Sequence, residues 1–325
     1  MNMMPTISVI IPVPCYEDKL PVLSYLAKAD YPKDKLEIIL VIGRWPSLQR
    51  NEAVKTAKGE ILYFFNSDAQ LTPDIFKKAV AIINKREDIA GAGGPDLTPG
   101  NNNYIQHLLG YAMSSYFAHW KMRARYSRIG EERISNEKEL LLSNLAIKRG
   151  IYLKAGGFND RLYPNEENEL INRVSEMGYK FIYNPDMAIY RDRRKTLFAF
   201  AGQFYRYGHG RMQQVFIEGP LKNAAFIAPI FLLVYFLIIP IFKNTWWVFL
   251  PLLAYIVLGT LDTIYVSIKN GKKMLIGLLP CYIIMHLSYA VGAMCSIIDR
   301  LFIRRNRRIY SDNLDVIIIK KFGEK

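Results

Sequence analysis

Three short apolar runs, each closed by a polar turn and followed by a helical pattern, limit what this chain can fold into. Residues 7–13 (ISVIIPV), 37–43 (EIILVIG) and 61–65 (ILYFF) are nearly continuous in apolar character, as suits strands buried on both faces. After the first, Leu20, Leu23, Leu26 and Ala27 repeat at helical spacing; after the second comes a helix over 47–57 with Ser47 as its expected N-cap. After the third, Pro73 opens a helical pattern through Ile75, Phe76, Ala79, Val80 and Ile83. Alternating strand and helix with short connections implies a mostly parallel sheet with right-handed crossovers, which gathers the strand C-termini on one edge. Tyr16 and Glu17, Gly43 and Arg44, and Asn66 to Asp68 are therefore expected to line one crevice, where open α/β sheets bind ligands. Taken alone, Asp68 reads as a turn cap. The convergence of three segments on its edge makes it a candidate for chemistry.

A fourth strand is expected over 89–94, a Pro/Asn-rich loop over 95–103, a mostly helical aromatic and basic stretch over 104–133, and strand character again over 140–148. A short helix over 150–155 and a longer one over 168–177, stopped by Gly178, lead to a strand over 179–183. Glu166, Glu167 and Glu169 stand at the start of the longer helix. Acidic residues there stabilise a helix N-terminus by about 0.3–1 kcal/mol each, which is one reading of the cluster. Three in four positions exceed that need. A Glu in a cleft that also holds Asp68 is suited to take a proton from a hydroxyl, and a neighbouring carboxylate raises its pKa towards that task.

The last third differs. Hydrophobic residues make up 51% of the 325, and they concentrate in three runs, 225–242, 246–268 and 274–298. About 20 apolar residues span a bilayer; the second and third runs reach this, while the first, with Pro229 and Pro240, is marginal. The formal charge is +14, with Arg191, Arg193, Arg194 and Lys195 before the runs and Arg300, Arg304, Arg305, Arg307 and Arg308 after them. That placement fits an anionic cytoplasmic leaflet; no reader motif for nucleic acid is present, and none is expected as a partner. Cys15, Cys281 and Cys295 form neither a disulfide framework nor a metal spacing. Three full crossings from a cytosolic front end would leave the basic tail outside, against the positive-inside tendency, so either the first or the third run is expected to enter without crossing. Asp262 and His286 are functional candidates by position, or pair with a neighbouring helix. Residues 316–319 suit a small strand or an interfacial segment.

Several ordered motifs across roughly residues 7–211 together resemble family 2 glycosyltransferases, inverting enzymes of the GT-A fold, and specifically the membrane-anchored succinoglycan type. SVIIPVPCYED is similar to the family's first-strand signature, which implies donor contacts for Pro12, Tyr16 and Glu17. QRNEAVKTAKGEILYFFNSDAQLTPD resembles the stretch that leads into the DxD motif, with Arg50 and Asn51 on the donor side and Asp68 as the second acid. The resemblance implies that Asp68, assisted by Asn66, holds Mg²⁺ or Mn²⁺ on the donor diphosphate. The block from NLAIKRG to FIYNPD resembles the acceptor side, and Glu166 and Glu167 fall on the pair that supplies the catalytic base. QFYRYGHGR is similar to QxxRW and its RYGxGR variant, which assigns Gln203, Arg206 and Tyr207 to acceptor or diphosphate; Arg206 reads equally as a phospholipid contact. There are departures. The VDD after strand two is absent, DxD is NSD, the base position is Glu rather than Asp, and a common His after the YNPD strand is Arg191-Asp192.

The expected fold is therefore a Rossmann-like GT-A domain followed by transmembrane helices, divided linearly into 1–215 (catalytic), 216–300 (two or three transmembrane or re-entrant helices) and 301–325 (basic tail). The implied activity is that of a membrane-bound inverting hexosyltransferase, multi-pass in the cytoplasmic membrane with its catalytic domain cytosolic. It would move a sugar from a nucleotide-sugar to a lipid-linked saccharide or polysaccharide precursor. A polyprenyl-phosphate sugar synthase and a catalytically degenerate nucleotide-sugar-binding scaffold are the alternatives.

Overall fold

The computed structural model describes residues 4–15, 20–220, 226–271, 277–303 and 314–322. The first strands and helices alternate as expected: β1 (Ile7–Val13), α1 (Pro21–Ala27), β2 (Leu36–Ile42), α2 (Pro46–Thr56), β3 (Ile61–Phe65), β4 (Gln70–Leu71), α3 (Ile75–Ile83), β5 (Ile89–Gly93) and β6 (Asp96–Leu97). Two helices follow, α4 (Tyr104–Ser114) and α5 (Tyr116–His119), and then β7 (Arg133–Ser135), β8 (Asn144–Lys148), α6 (Arg149–Lys154), α7 (Glu166–Glu176), β9 (Lys180–Tyr183) and β10 (Ile189–Tyr190). The chain ends with α8 (Leu197–Glu218), α9 (Ala228–Ile238), α10 (Leu250–Lys269), α11 (Leu278–Ile298) and β11 (Asp315–Lys320).

It divides into two compact units. Met1–Pro99, Ala124–Arg191 and Arg307–Lys325 form the first; Gly100–Arg123 and Asp192–Asn306 form the second. The division follows packing rather than linear order. Residues 100–123 belong with the apolar helices, and β11, in the tail, belongs with the sheet.

In the first unit an eight-stranded sheet has the order β11-β2-β1-β3-β8-β5-β9-β7. β1 is parallel to β2 and β3, and β5 is parallel to β9, whereas β8 is antiparallel to both of its neighbours, β3 and β5. Five strands thus share one direction, while β7, β8 and β11 oppose it. The even burial of β1 follows from its two covered faces. Ile7, Val9, Ile11 and Val13 pack into a core with residues of α1 and α3, and Ile10 into another with residues of α2, α6 and α7. Ser47 is the second residue of α2, not its cap; Trp45 holds the cap position, and the Ser47 hydroxyl donates to the Leu162 carbonyl. A second, three-stranded sheet, β4-β10-β6, is small but positions the site.

In the second unit, α8 and α11 approach so closely that a Cβ added at Gly208 would lie 1.9 Å from the Tyr289 carbonyl oxygen, and one at Gly292 would lie 2.0 Å from that of Tyr205. Small residues permit such contacts between apolar helices. Residues Trp246–Lys269 and Leu278–Phe302 are each long and apolar enough to cross a membrane, with mean hydropathy 1.8 and 1.7; Ala228–Phe242 is a shorter apolar helix. Asp262 and His286 are satisfied locally. Asp262 accepts from the hydroxyls of Ser115 and Tyr282, both at 2.6 Å, and the His286 ring lies 2.8 Å from the Tyr255 hydroxyl and 3.0 Å from the Ala118 carbonyl.

Candidate active site

The site in the first unit forms where two kinds of strand ending meet. β3 delivers Asn66 and Asp68 just past its C-terminus, and the turn is held by the Ala69 amide donating to the Asn66 carbonyl at 3.1 Å. The small sheet then pairs Ile189 with Leu71 and with Asp96, which brings together Asp68 before β4, Asp96 at the start of β6 and Arg191 after β10. The Arg191 amide continues this register, donating to the Leu97 carbonyl at 3.0 Å.

Its guanidinium lies side-on to Asp68, with Nε donating to Oδ1 at 2.9 Å and Nη2 to Oδ2 at 3.2 Å, while Nη1 donates to Oδ2 of Asp96 at 3.1 Å. The Asp96 side chain is 1% exposed, that of Arg191 24% and that of Asp68 48%. Turned with its oxygen towards Arg191, the Asn66 amide accepts from both Nη atoms at 3.2 Å; turned the other way, it accepts from Arg50 Nη2 at 3.4 Å. This donor set does not fit a divalent cation, because a guanidinium occupies both oxygens of the one acid expected to ligate it. Among the described residues no group of three or more His, Cys, Asp or Glu side chains could hold a metal.

The second part of the site is the first turn of α7. Asn165 caps it with φ 86°, a left-handed conformation that Asn tolerates, and its side-chain oxygen accepts from Asn168 at 2.7 Å. Asn168 in turn accepts from buried Arg125 at 2.6 Å. Helix α7 begins at Glu166, so all three glutamates lie in its first turn and all are buried. Glu169 is gripped by Arg173 through both oxygens, at 2.8 and 2.6 Å. Glu166 accepts from Arg50 at 2.8 Å. Glu167 has no such ion pair among the described residues. Burial pushes the Glu166 carboxyl up to about 7; the Arg50 charge opposes the shift and that of Glu167 adds to it.

The remaining expected residues are placed as follows. Pro12 is half-buried in β1, and Tyr16 and Glu17 lie outside the described residues. Asn51 turns its amide onto α6 and the loop after it, accepting from the Tyr152 hydroxyl at 2.6 Å and the Phe158 amide at 2.9 Å and donating to the Phe158 carbonyl at 2.8 Å. It positions that loop. Gln203, Arg206 and Tyr207 are in α8, in the second unit, where Gln203 accepts from Arg194 at 3.1 Å and donates to the Tyr207 hydroxyl at 3.0 Å. Asp96 was not expected at the site. Its signal is tertiary, since only the pairing of β10 with β6 brings it to Asp68.

The sequence matches a known family, described as glycosyl transferase family group 2, over residues 61–295. Among solved structures, the mannosyltransferase PcManGT from Pyrobaculum calidifontis, in complex with GDP-Man and Mn²⁺, superposes with a TM-score of 0.56 at 16% identity, covering 92% of this chain and 89% of that one. TarS 1–349 of S. aureus, in complex with UDP-GlcNAc, gives a TM-score of 0.43 at 15% identity over 64% of this chain and 66% of that one. The first likeness is one of fold, GT-A. No match was found among curated protein sequences.

Proposed function

Because the chain belongs to glycosyltransferase family 2, we propose that it is a membrane-bound inverting hexosyltransferase using a nucleotide-sugar donor and a lipid-linked saccharide or polysaccharide precursor as acceptor. One observation carries the assignment of the base. Of three buried glutamates in one helical turn, two are ion-paired within the chain, and Glu167 is the third. In this reading Glu167 takes the proton of the acceptor hydroxyl as its oxygen bonds to the anomeric carbon. The bond from that carbon to the nucleoside diphosphate breaks on the opposite face, and the configuration inverts. Arg50 and Glu166 hold each other in place behind the reacting groups. At the Asp68 edge, where the resemblance implied a divalent cation on the diphosphate, the chain carries Arg191. Pro12, Tyr16 and Glu17 are assigned to the donor, and Gln203, Arg206 and Tyr207 to acceptor or diphosphate.

A parity argument supports the membrane arrangement of this reading. β10 precedes the apolar helices and β11 follows them, yet both belong to the first unit, and β11 pairs with β2 in its main sheet. A sheet cannot have strands on both sides of a bilayer, so the chain between them crosses an even number of times. Helices α4 and α5, of 11 and 4 residues, are too short to span a bilayer. Within the second unit both ends of α11 are held by other helices: Gly277 lies against Leu108 of α4, and Asp299 bonds His209 of α8 at 3.1 Å. In this reading α11, although long enough to span, lies along the membrane surface. The crossing pair is then Ala228–Phe242 with Trp246–Lys269, turning at Lys243 beside an interfacial Trp246-Trp247 belt. Lys269 and Arg300 both end on the catalytic, cytosolic side, as the positive-inside rule asks.

The test of activity is nucleoside diphosphate release by membranes containing the protein, over UDP-, GDP- and dTDP-sugars with native lipid extract, comparing wild type with Glu167→Gln. Release from one donor that falls at least ~10²-fold in the variant supports the reading; equal release by both proteins refutes Glu167 as base.

A further inference from the structure

We propose that Arg191 is a built-in cation for the donor diphosphate, and that this enzyme binds its nucleoside diphosphate without a divalent metal. The inference rests on the transferase reading above and concerns how the same site meets phosphate charge.

The argument begins with topology. A residue that follows β10 by one position is fixed by two strand pairings at once, to β4 on one side and β6 on the other, and its own amide is bonded to Leu97. The backbone of Arg191 is therefore held by the small sheet. Its side chain is held by three further bonds, two to Asp68 and one to Asp96. A guanidinium gripped by two carboxylates, one of them 1% exposed, is not a side chain poised to leave. Its planar fork is already oriented, so little ordering is lost when it meets a phosphate.

The charges point the same way. A divalent ion at Asp68 would need that carboxylate's charge and at least one of its oxygens. Both oxygens already accept from Arg191, and the incoming ion would sit against a positive group. At this edge the guanidinium of Arg191, 24% exposed, stands between the more exposed carboxylate of Asp68 and the buried one of Asp96, with Arg50 on the other side of Asn66. Arginine is well matched to phosphate oxygens in this role. Asp68, expected as a metal ligand, becomes the residue that orients the cation.

The experiment is titration of UDP, GDP and dTDP into the full chain in detergent, in excess EDTA and again in excess MnCl₂, for wild type, Arg191→Lys and Arg191→Ala. Electron paramagnetic resonance of the Mn²⁺ samples reports bound metal directly. One nucleotide is expected to bind wild type within about two-fold equally in the two media, with no protein-bound Mn²⁺. Its affinity should fall about 10- to 100-fold in Arg191→Ala, the worth of a lost charge-assisted contact, with Arg191→Lys, which keeps the charge, in between. Melting curves of the three proteins separate a lost contact from a lost fold, and an Arg191→Lys protein that folds as wild type yet binds no less tightly would count against the guanidinium. Binding that requires Mn²⁺ in wild type, with Mn²⁺ bound to the protein, overturns the inference and leaves the transferase reading standing. Binding of no nucleotide in either medium overturns both.

Discussion

Replacing Arg50 by Met should destabilise the protein far more at high pH than at low pH, because the effect passes through the protonation of Glu166. In the wild type, burial raises the Glu166 pKa from 4.5 to about 7 against the pull of Arg50. A raised carboxyl pKa contributes stability that is full below 4.5 and is lost as pH rises through 7. At pH 5 the group is protonated with or without Arg50, so the substitution removes only hydrogen bonds and packing. Above pH 7 the wild type ionises Glu166 beside its partner. The variant cannot, and it keeps the proton at a cost of about 1.36 kcal/mol per pH unit. At about pH 8.5 the added penalty is therefore about 2 kcal/mol, which for a protein of this size lowers the melting temperature by a further ~3 °C. Melting of the full chain in detergent, followed by tryptophan fluorescence at pH 5 and 8.5, reads this directly. The double variant with Glu166→Gln should lose the pH-dependent part. Equal destabilisation of Arg50→Met at both pH values would refute the reasoning, since it would mean that Glu166 does not depend on Arg50 for its charge.

Asn51→Ala removes two hydrogen bonds to Phe158 in the loop after α6 and one to Tyr152 of α6 and should cost about 1–3 kcal/mol in thermal or denaturant unfolding; a loss of nucleotide affinity without loss of stability would instead support a donor contact for Asn51. Gly292→Ala places a methyl 2.0 Å from the Tyr205 carbonyl oxygen, and the forced separation of α8 and α11 should lower stability in detergent by about 1–3 kcal/mol, with an unchanged melting temperature counting against the close packing. For the crossing pair, a cysteine at Asn244 should react with an impermeant maleimide from outside intact cells and one at Asn270 should not. The reverse pattern would make α10 and α11 the hairpin.

The strands of the first unit were legible because burial on both faces demands a continuous apolar run, and residues 7–13 and 61–65 form strands with the expected bounds. Direction was not legible in the same way. The apolar run that becomes β8 suits a parallel or an antiparallel place equally, and its orientation is set by neighbours far along the chain. The same limit applies to the site. Asp68 could be picked out because a carboxylate at a strand C-terminus is a local pattern, but its partner lies 123 residues away and arrives through a two-residue strand that no periodicity announces. The three glutamates were visible as a cluster. Which of them is without an ion pair among the described residues depends on Arg50 and Arg173, and only the fold supplies that.

The pairing of β11 with β2 also governs how the protein is made. Until residues 315–320 have been synthesised, the edge formed by Ile38, Ile39, Leu40 and Val41 has no neighbour on that side, and all of the apolar helices are made while it waits. An open, apolar edge strand is a template for pairing with other chains. A shortened version that ends before residue 315, made to free the catalytic unit from lipid, would keep that edge bare permanently. A soluble version should instead carry 315–320 rejoined to the sheet by a linker in place of the helices, so that Val316 and Ile317 again face Val41 and Leu40.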